Sequence, residues 1–595
     1  MSKTALTRFR EGSYTGVARY FGAHRTGAGV RFRVWAPGAG AVSLVGDFNG
    51  WDPARGPMAE RSPGVWERTD PAAREGDLYQ YAIDGVNGER LYKADPVAFQ
   101  AERSPGAASR VAFLSGYRWR DRAWMAARRE TPAPMSIYEV HAASWRAEEG
   151  ADYPSWAALE QTLIPYVRDM GYTHIELLPL TEHPYDGSWG YQTTGYFAPT
   201  SRYGGPKALM AFVDACHRAG LGVILDWVPG HFCRDGFGLG RFNGAPLYEG
   251  ADHQQWGTYK FDFRRGQVRS FLLSSARYWL KTYHIDGLRV DGVTSMLYLN
   301  FGVFTPDQRR EGEVDGDAVR FLRDLNAMVR REAPGAFTVA EESSDWPHVT
   351  GPAGLGFTYK WDMGWMNDTL RYVSLPFDRR GEHHQLLNFS MLYAFSERFL
   401  LPLSHDEVVH GKRSLIGRMP GDYSQQFRGL RLTLLYQLCH PGSKLLFMGG
   451  ELGQFAEWDE HKGVEWDLLD YESHRAMQAY VRALNWFYRR ESCLWADDGS
   501  WDGFQWLAAD DGDHAVLAFL RRSGDDAALV LLNFSDHGWQ YTVTPPKPGL
   551  WRVVFATEPE EGAYQTDGQG RLTLPLSPLS GLILKPEREE LTHEA

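Results

Sequence analysis

Between residues 25 and 115 apolar and polar positions alternate in short runs: VRFRVWAP, AVSLVGDFNGW, GVWERTD and DLYQYAIDG. Gly, Pro and Asp break the runs every ~8–12 residues, the pattern of an antiparallel β-sandwich with one buried face per strand. Pro132 and Pro134 then mark a linker. From about 135 to 495 the rhythm changes, and short apolar runs alternate with stretches of helical period. The runs are SIYEVHAASW, THIELLPL, LGVILDWVP, DGLRVDGV, FTVAEES, FTYKWDM, RFLLPLSHD and KLLFMGGE. Between them lie segments such as KALMAFVDACHRAG, closed by Gly220 as a helix C-terminus requires, and VRSFLLSSARYWLKTY.

Eight apolar strands separated by helices predict a (β/α)8 barrel with insertions. A doubly wound open sheet is the competing arrangement, but no Gly-rich phosphate loop follows the first strand. Alternation returns near 505 in HAVLAFLRRS, AALVLLNFS, WRVVFAT and LTLPLSPLSGLILK. The expected fold class is therefore multidomain, α/β plus β. A leader at 1–24 precedes a β-sandwich at 25–115, the barrel at 125–495, a second all-β domain at 505–590, and a solvated tail.

Composition narrows the partners. With 63 basic and 75 acidic residues the net charge is −12, which disfavours nucleic acid and anionic membranes because both reward a basic surface. Four scattered cysteines (Cys216, Cys233, Cys439, Cys493) form no CxxC pair, so a reducing, cytoplasmic setting is expected. Neither a secretory h-region nor an apolar run long enough for a membrane span is visible. The 14% aromatic content, with 22 Trp, fits either large cores or carbohydrate binding, since flat rings offer sugar C–H groups an apolar face.

In a barrel, the C-terminal ends of the strands face the active-site mouth. Those ends carry Asp226 and His231 on the third strand, Arg289 and Asp291 on the fourth, Glu341 and Glu342 on the fifth, and His405 and Asp406 on the seventh. A lone Asp at a strand end is usually a cap, but charged groups at four ends of one face call for another explanation. Retaining glycoside cleavage needs one carboxylate as nucleophile and a second carboxyl as proton donor. A guanidinium two residues from Asp291 lies on the same face of the strand and would hold that carboxylate ionised. Glu341 is the expected donor; adjacent side chains alternate, so either Glu341 or Glu342 faces the pocket, not both.

DWVPGH, GLRVDGV, AEES and PLSHDEVVHG resemble the four signature segments of the α-amylase superfamily. EHPYDGSWGYQTTGYFAPTSRYG, LSHDEVVHGKRSL and FTYKWDMGWMNDTLRY resemble its glycogen branching enzymes in particular, and the likeness spans about residues 25 to 585. The resemblance implies Asp291 as nucleophile, Glu341 as acid/base and Asp406 as the carboxylate that grips sugar hydroxyls. Asp226, His231, Arg289 and His405 would support them, with Tyr191 stacking on the sugar at the cleavage site. The GDFNGWD stretch at 46–52 is similar to a glycogen-binding module, although the first β-domain could equally be structural support. Three departures stand out: a short leader where some relatives carry an additional sandwich, Gly292 where the family commonly has Ala, and an unusual loop NFGVFTPDQRREGEVDGDAV. These departures leave the catalytic set untouched and bear on the acceptor side of the site and the length of chain transferred.

The implied activity cleaves an α-1,4-glucan chain with retention and transfers it to a 6-hydroxyl, creating an α-1,6 branch. No metal or organic cofactor is required, and a monomer acting on glycogen or amylose is expected. The alternatives are a hydrolase of the same superfamily, trehalose-releasing or debranching, and a non-catalytic glucan-binding protein.

Overall fold

The computed structural model describes residues 1–128, 133–253, 255–299, 301 and 313–587. Most of the unusual loop (302–312) and the end of the tail (588–595) lie outside them. The described chain forms two compact units, one of residues 1–130, 141–165 and 176–358, the other of 131–140, 166–175 and 359–595.

The eight apolar runs form the eight strands of a closed barrel: β1 Ser136–Val140, β2 His174–Leu177, β3 Gly222–Trp227, β4 Gly287–Val290, β5 Phe337–Ala340, β6 Tyr359–Trp361, β7 Phe399–Leu403 and β8 Ser443–Phe447. They are short and nearly continuously apolar because a parallel barrel strand is covered on both faces. Parallel register places Asp226 beside Arg289 and Arg289 beside Val339, which brings the ends of β3, β4 and β5 level in the first unit. In the second unit Leu403 pairs with Leu446, and Phe447 with Glu139 of β1.

The N-terminal alternation becomes two antiparallel sheets. One has the order Gly22–Thr26, Gly29–Trp35, Val65–Asp70, Ala59–Ser62; the other is built on Ala41–Gly46, Leu78–Asp84 and Arg90–Lys93. Val30, Phe32 and Val34 are buried, while Arg31 and Arg33 between them are not, and Phe32 meets Tyr79 of the other sheet at 4.9 Å. The leader at 1–24 contains regular structure. Lys3–Glu11 is a helix capped by the Ser2 side chain, and its Phe9 is buried. Its C-terminal turn docks on the helix Gly266–Thr282, where Ser270 Oγ donates to Phe9 O (3.1 Å) and Arg269 Nη2 to Glu11 O (2.9 Å). A Cβ at Gly266 would stand 1.9 Å from Arg10 O, so glycine there permits the approach. Phe9 of the Lys3–Glu11 helix packs on Phe21 and Trp35, with ring centroids 5.5 and 5.7 Å away.

At the start of β4, Asp286 is buried in a charged network. His217 sits between Asp121 and Asp286, each at 2.9 Å, and Arg128 Nη1 lies 3.1 Å from Asp286. Burial opposes charging His217, but its hydrogen bonds to Asp286 and Asp121, with their negative charges, outweigh it and raise its pKa. Asp286 is held at about 2, burial being overcome by His217 and Arg128.

The second unit ends in a six-stranded antiparallel sheet and a two-stranded one, Trp539–Val543 with Leu572–Leu576. Their core includes Val516, Leu520, Leu529, Leu531, Leu574 and Leu582.

Candidate active site

Arg289, the third residue of β4, is buried and organises the site in the first unit. Its Nη1 donates to both oxygens of Asp226, at 2.8 Å each, and to Asp291 Oδ1 at 2.8 Å. Its Nη2 stands 3.3 Å from Glu341 Oε2. Three carboxylates therefore converge on one guanidinium, whose planar fork suits bridging of this kind. Asp291 is the first residue past β4, and its N–H is anchored on Trp227 O at 3.0 Å. Gly292 then turns the chain with φ of 60°, the left-handed region that favours glycine. That turn aims the Gly292 N–H at Glu341 Oε2, 2.6 Å away.

The two oxygens of Asp291 have different neighbours: Oδ1 takes the Arg289 bond, and Oδ2 lies 3.5 Å from His231 Nε2. Burial pushes the Asp291 carboxyl up, but His231 and Arg289 together hold it below the usual carboxylate range. Burial pushes Asp226 up to about 6; Arg289 pulls against it and the Asp291 charge adds to it. Tyr191 completes this side, its hydroxyl donating to Asp226 Oδ2 at 2.5 Å and its ring centroid 5.9 Å from the Arg289 guanidinium.

The choice between the two glutamates is resolved by their surroundings. Glu341 is about one-quarter exposed and turned toward Arg289 and Gly292. Glu342 is fully buried and accepts from Thr294 Oγ1 (3.1 Å) and Ser344 N (2.7 Å). Tyr191, Asp226, His231, Arg289, Asp291 and Glu341 thus form one cluster. Its carboxylate pair, one partner held anionic and the other joined to it by a guanidinium and a backbone N–H, is equipped for nucleophilic attack and proton transfer.

The second unit holds His405 and Asp406, just past β7. His405 Nδ1 is 2.6 Å from Glu139 Oε1, and its backbone N–H donates to Glu139 Oε2 at 3.0 Å. A carboxylate only accepts, so Nδ1 carries a proton and Nε2 faces Asp406 Oδ1 at 3.5 Å. Asp406 itself is half exposed. Glu139 was missed from the sequence; its signal was a charged residue inside the otherwise apolar YEV of β1. His253 and Trp256 near Asp291 were missed as well, because they lie in a segment outside the motif strings.

The chain matches the family model for the alpha amylase catalytic domain over residues 149–238. It also matches carbohydrate-binding module 48 (isoamylase N-terminal domain) over 20–98 and the alpha amylase C-terminal all-beta domain over 506–587. It is 48% identical to the 1,4-alpha-glucan branching enzyme GlgB of Desulfitobacterium hafniense (strain Y51), across 97% of this chain and 95% of that one. The chain belongs to the 1,4-alpha-glucan branching enzyme family. Another of these branching enzymes, GlgB of Halothermothrix orenii, is 47% identical over 95% of this chain and 93% of its own length. Among solved structures, a pullulanase complexed with maltotetraose from Anoxybacillus sp. LM18-11 superposes with a TM-score of 0.73 at 17% identity, covering 98% of this chain and 89% of that one. That likeness speaks for the fold alone. The branching-enzyme chain has no described helix long and apolar enough to cross a membrane.

Proposed function

We propose that this protein is a 1,4-alpha-glucan branching enzyme in which Asp291 is the nucleophile and Glu341 the acid/base. The observation that carries the assignment is the shared Arg289, bonded to Asp291 at 2.8 Å and 3.3 Å from Glu341. Two carboxyl groups on one guanidinium suit the short separation of a retaining site. In the first step an Asp291 oxygen bonds to the anomeric carbon of an α-1,4-linked glucose. The bond from that carbon to the glycosidic oxygen breaks, and Glu341 gives its proton to the leaving 4-oxygen. In the second step the 6-hydroxyl of another chain attacks the same carbon, its proton passes to Glu341, and the Asp291 ester bond breaks. Two inversions restore the α configuration. Arg289 and His231 keep Asp291 anionic between turnovers, and Tyr191 offers its ring to the sugar being cleaved. Asp406, with His405 fixed by Glu139, grips sugar hydroxyls as positive charge develops; its motif and its half-exposed place past β7 support that role.

The same reading makes the module at 25–115 a glucan-binding one, supported by the carbohydrate-binding match at 20–98. It places a monomeric enzyme in the cytoplasm, which four buried, unpaired cysteines fit. Incubation with amylose tests the activity. Branching lowers the iodine colour with little net reducing sugar, whereas hydrolysis releases reducing ends in step with the colour loss. Asp291→Ala is expected to lose activity by about 10⁴-fold or more with an unchanged circular dichroism spectrum. Near-normal turnover in that variant would refute the assignment.

A further inference from the structure

Gly292 carries no side chain, and the space beside it is filled. A Cβ built at Gly292 would stand 3.2 Å from Cη2 of Trp256 and 3.2 Å from Ser295 Oγ. The six-membered edge of the Trp256 indole therefore lies beside Gly292, the residue that follows the nucleophile. Behind it, His253 stacks face to face, with ring centroids 3.8 Å apart and planes 5° from parallel. His231, the neighbour of Asp291 Oδ2, completes the group at 4.8 Å from the Trp256 ring.

His253 is 1% exposed, and neither of its ring nitrogens has a hydrogen-bond partner among the described residues. Burying an imidazole in that state opposes folding. Burial, with His231 and Lys260 nearby, pushes its pKa down to about 3, so the ring is neutral. What the neutral ring supplies is a flat backing for Trp256, which keeps 38% of its own surface exposed. A rigid, exposed aromatic face beside a glycosidic nucleophile is a surface for the apolar face of a sugar.

Its position says which sugar. Tyr191 approaches from the Asp226 and Arg289 side, where Asp291 Oδ1 is held. Trp256 stands on the Asp291 Oδ2 side, next to His231 and beside Gly292, whose N–H binds Glu341. Glu341 exchanges its proton with the leaving sugar and then with the acceptor. We propose that Trp256, backed by His253 and seated in the room left by Gly292, is the wall on which the acceptor glucan stacks. The inference rests on the assignment of Asp291 and Glu341 above.

The two half-reactions separate the roles. Fluoride release from α-maltosyl fluoride reports formation of the glycosyl-enzyme with water as acceptor, while branch formation on amylose needs the second chain. Trp256→Ala is expected to lower branch formation at least tenfold more than it lowers fluoride release, with the KM for an added glucan acceptor rising. Trp256→Phe, which keeps a flat ring, should recover most of the difference, and Trp256→Leu, which keeps only bulk, should not. This Phe and Leu pair carries the test if the alanine variant fails to fold. Equal losses in both half-reactions, or equal behaviour of Phe and Leu, would overturn the inference. A wild-type enzyme that releases fluoride but forms no branches would instead overturn the branching reading, and one that does neither would overturn the catalytic assignment.

Discussion

Replacing Arg289 by lysine tests the central electrostatic claim, because it keeps one positive charge and removes the fork. Arg289 reaches Asp226 and Asp291 through Nη1, at 2.8 Å, and Glu341 through Nη2, at 3.3 Å. An ammonium has a single nitrogen on a flexible stem, so it cannot hold the Asp226–Asp291 contacts of Nη1 and the Glu341 contact of Nη2 in one fixed plane. A unit charge pair about 4 Å apart at an effective dielectric of ~20 interacts by about 4 kcal/mol. Full loss on Asp291 would correspond to about 3 pKa units. The lysine retains part of that, and His231 stays 3.5 Å from the other oxygen, so the expected shift is about 1 unit. The direction is fixed: the native Asp291 pKa is depressed, removing a cation raises it, and the nucleophile is then protonated at a higher pH. The acid limb of kcat/KM for amylose branching should therefore move up by about 1 pH unit. The plateau should fall on the order of a hundredfold, since a lost hydrogen bond to a charged group costs about 1.5–3 kcal/mol. A fall in rate with the acid limb unmoved would refute the reasoning and leave Arg289 a purely geometric part.

Two further outcomes follow from the same geometry. Glu341→Gln should cost about 10³-fold or more in branching rate, and Glu342→Gln should cost less, because Glu342 is buried against Thr294 and Ser344; the reverse order in the iodine assay would exchange their roles. Removing His217 from between Asp121 and Asp286 should cost about 3–5 kcal/mol in denaturant unfolding. The His217 pKa is raised in the folded state, so its contribution is complete below the ordinary histidine value of about 6.5 and lost as pH rises through the folded value. Asp286 is depressed to about 2, so its contribution is present above the ordinary carboxylate value and lost only as pH falls through about 2. The His217→Ala penalty is thus largest between about pH 4 and 6.5 and shrinks in alkali; a penalty flat from about pH 5 to 10 would contradict a charged His217.

The barrel, the two β-rich flanks and the residues at the strand ends were legible in the pattern of amino acids. Those features are local: a strand covered on both faces must be apolar throughout, an exposed-edge sandwich must alternate, and a charged pair such as Arg289 and Asp291 stands out against that background. Contacts between distant segments came from the folded chain. It turned residues 3–11 into a docked helix, because the partner surface is on the helix 266–282. It gave Glu341 rather than Glu342 the face toward Arg289, since Thr294 and Ser344 hold the other carboxylate. It set Glu139 under His405 and Trp256 over Gly292, contacts across 266 and 36 residues of chain whose partners carry no shared periodicity. Periodicity records which face of an element is buried; the identity of the neighbour is fixed only when the chain closes on itself.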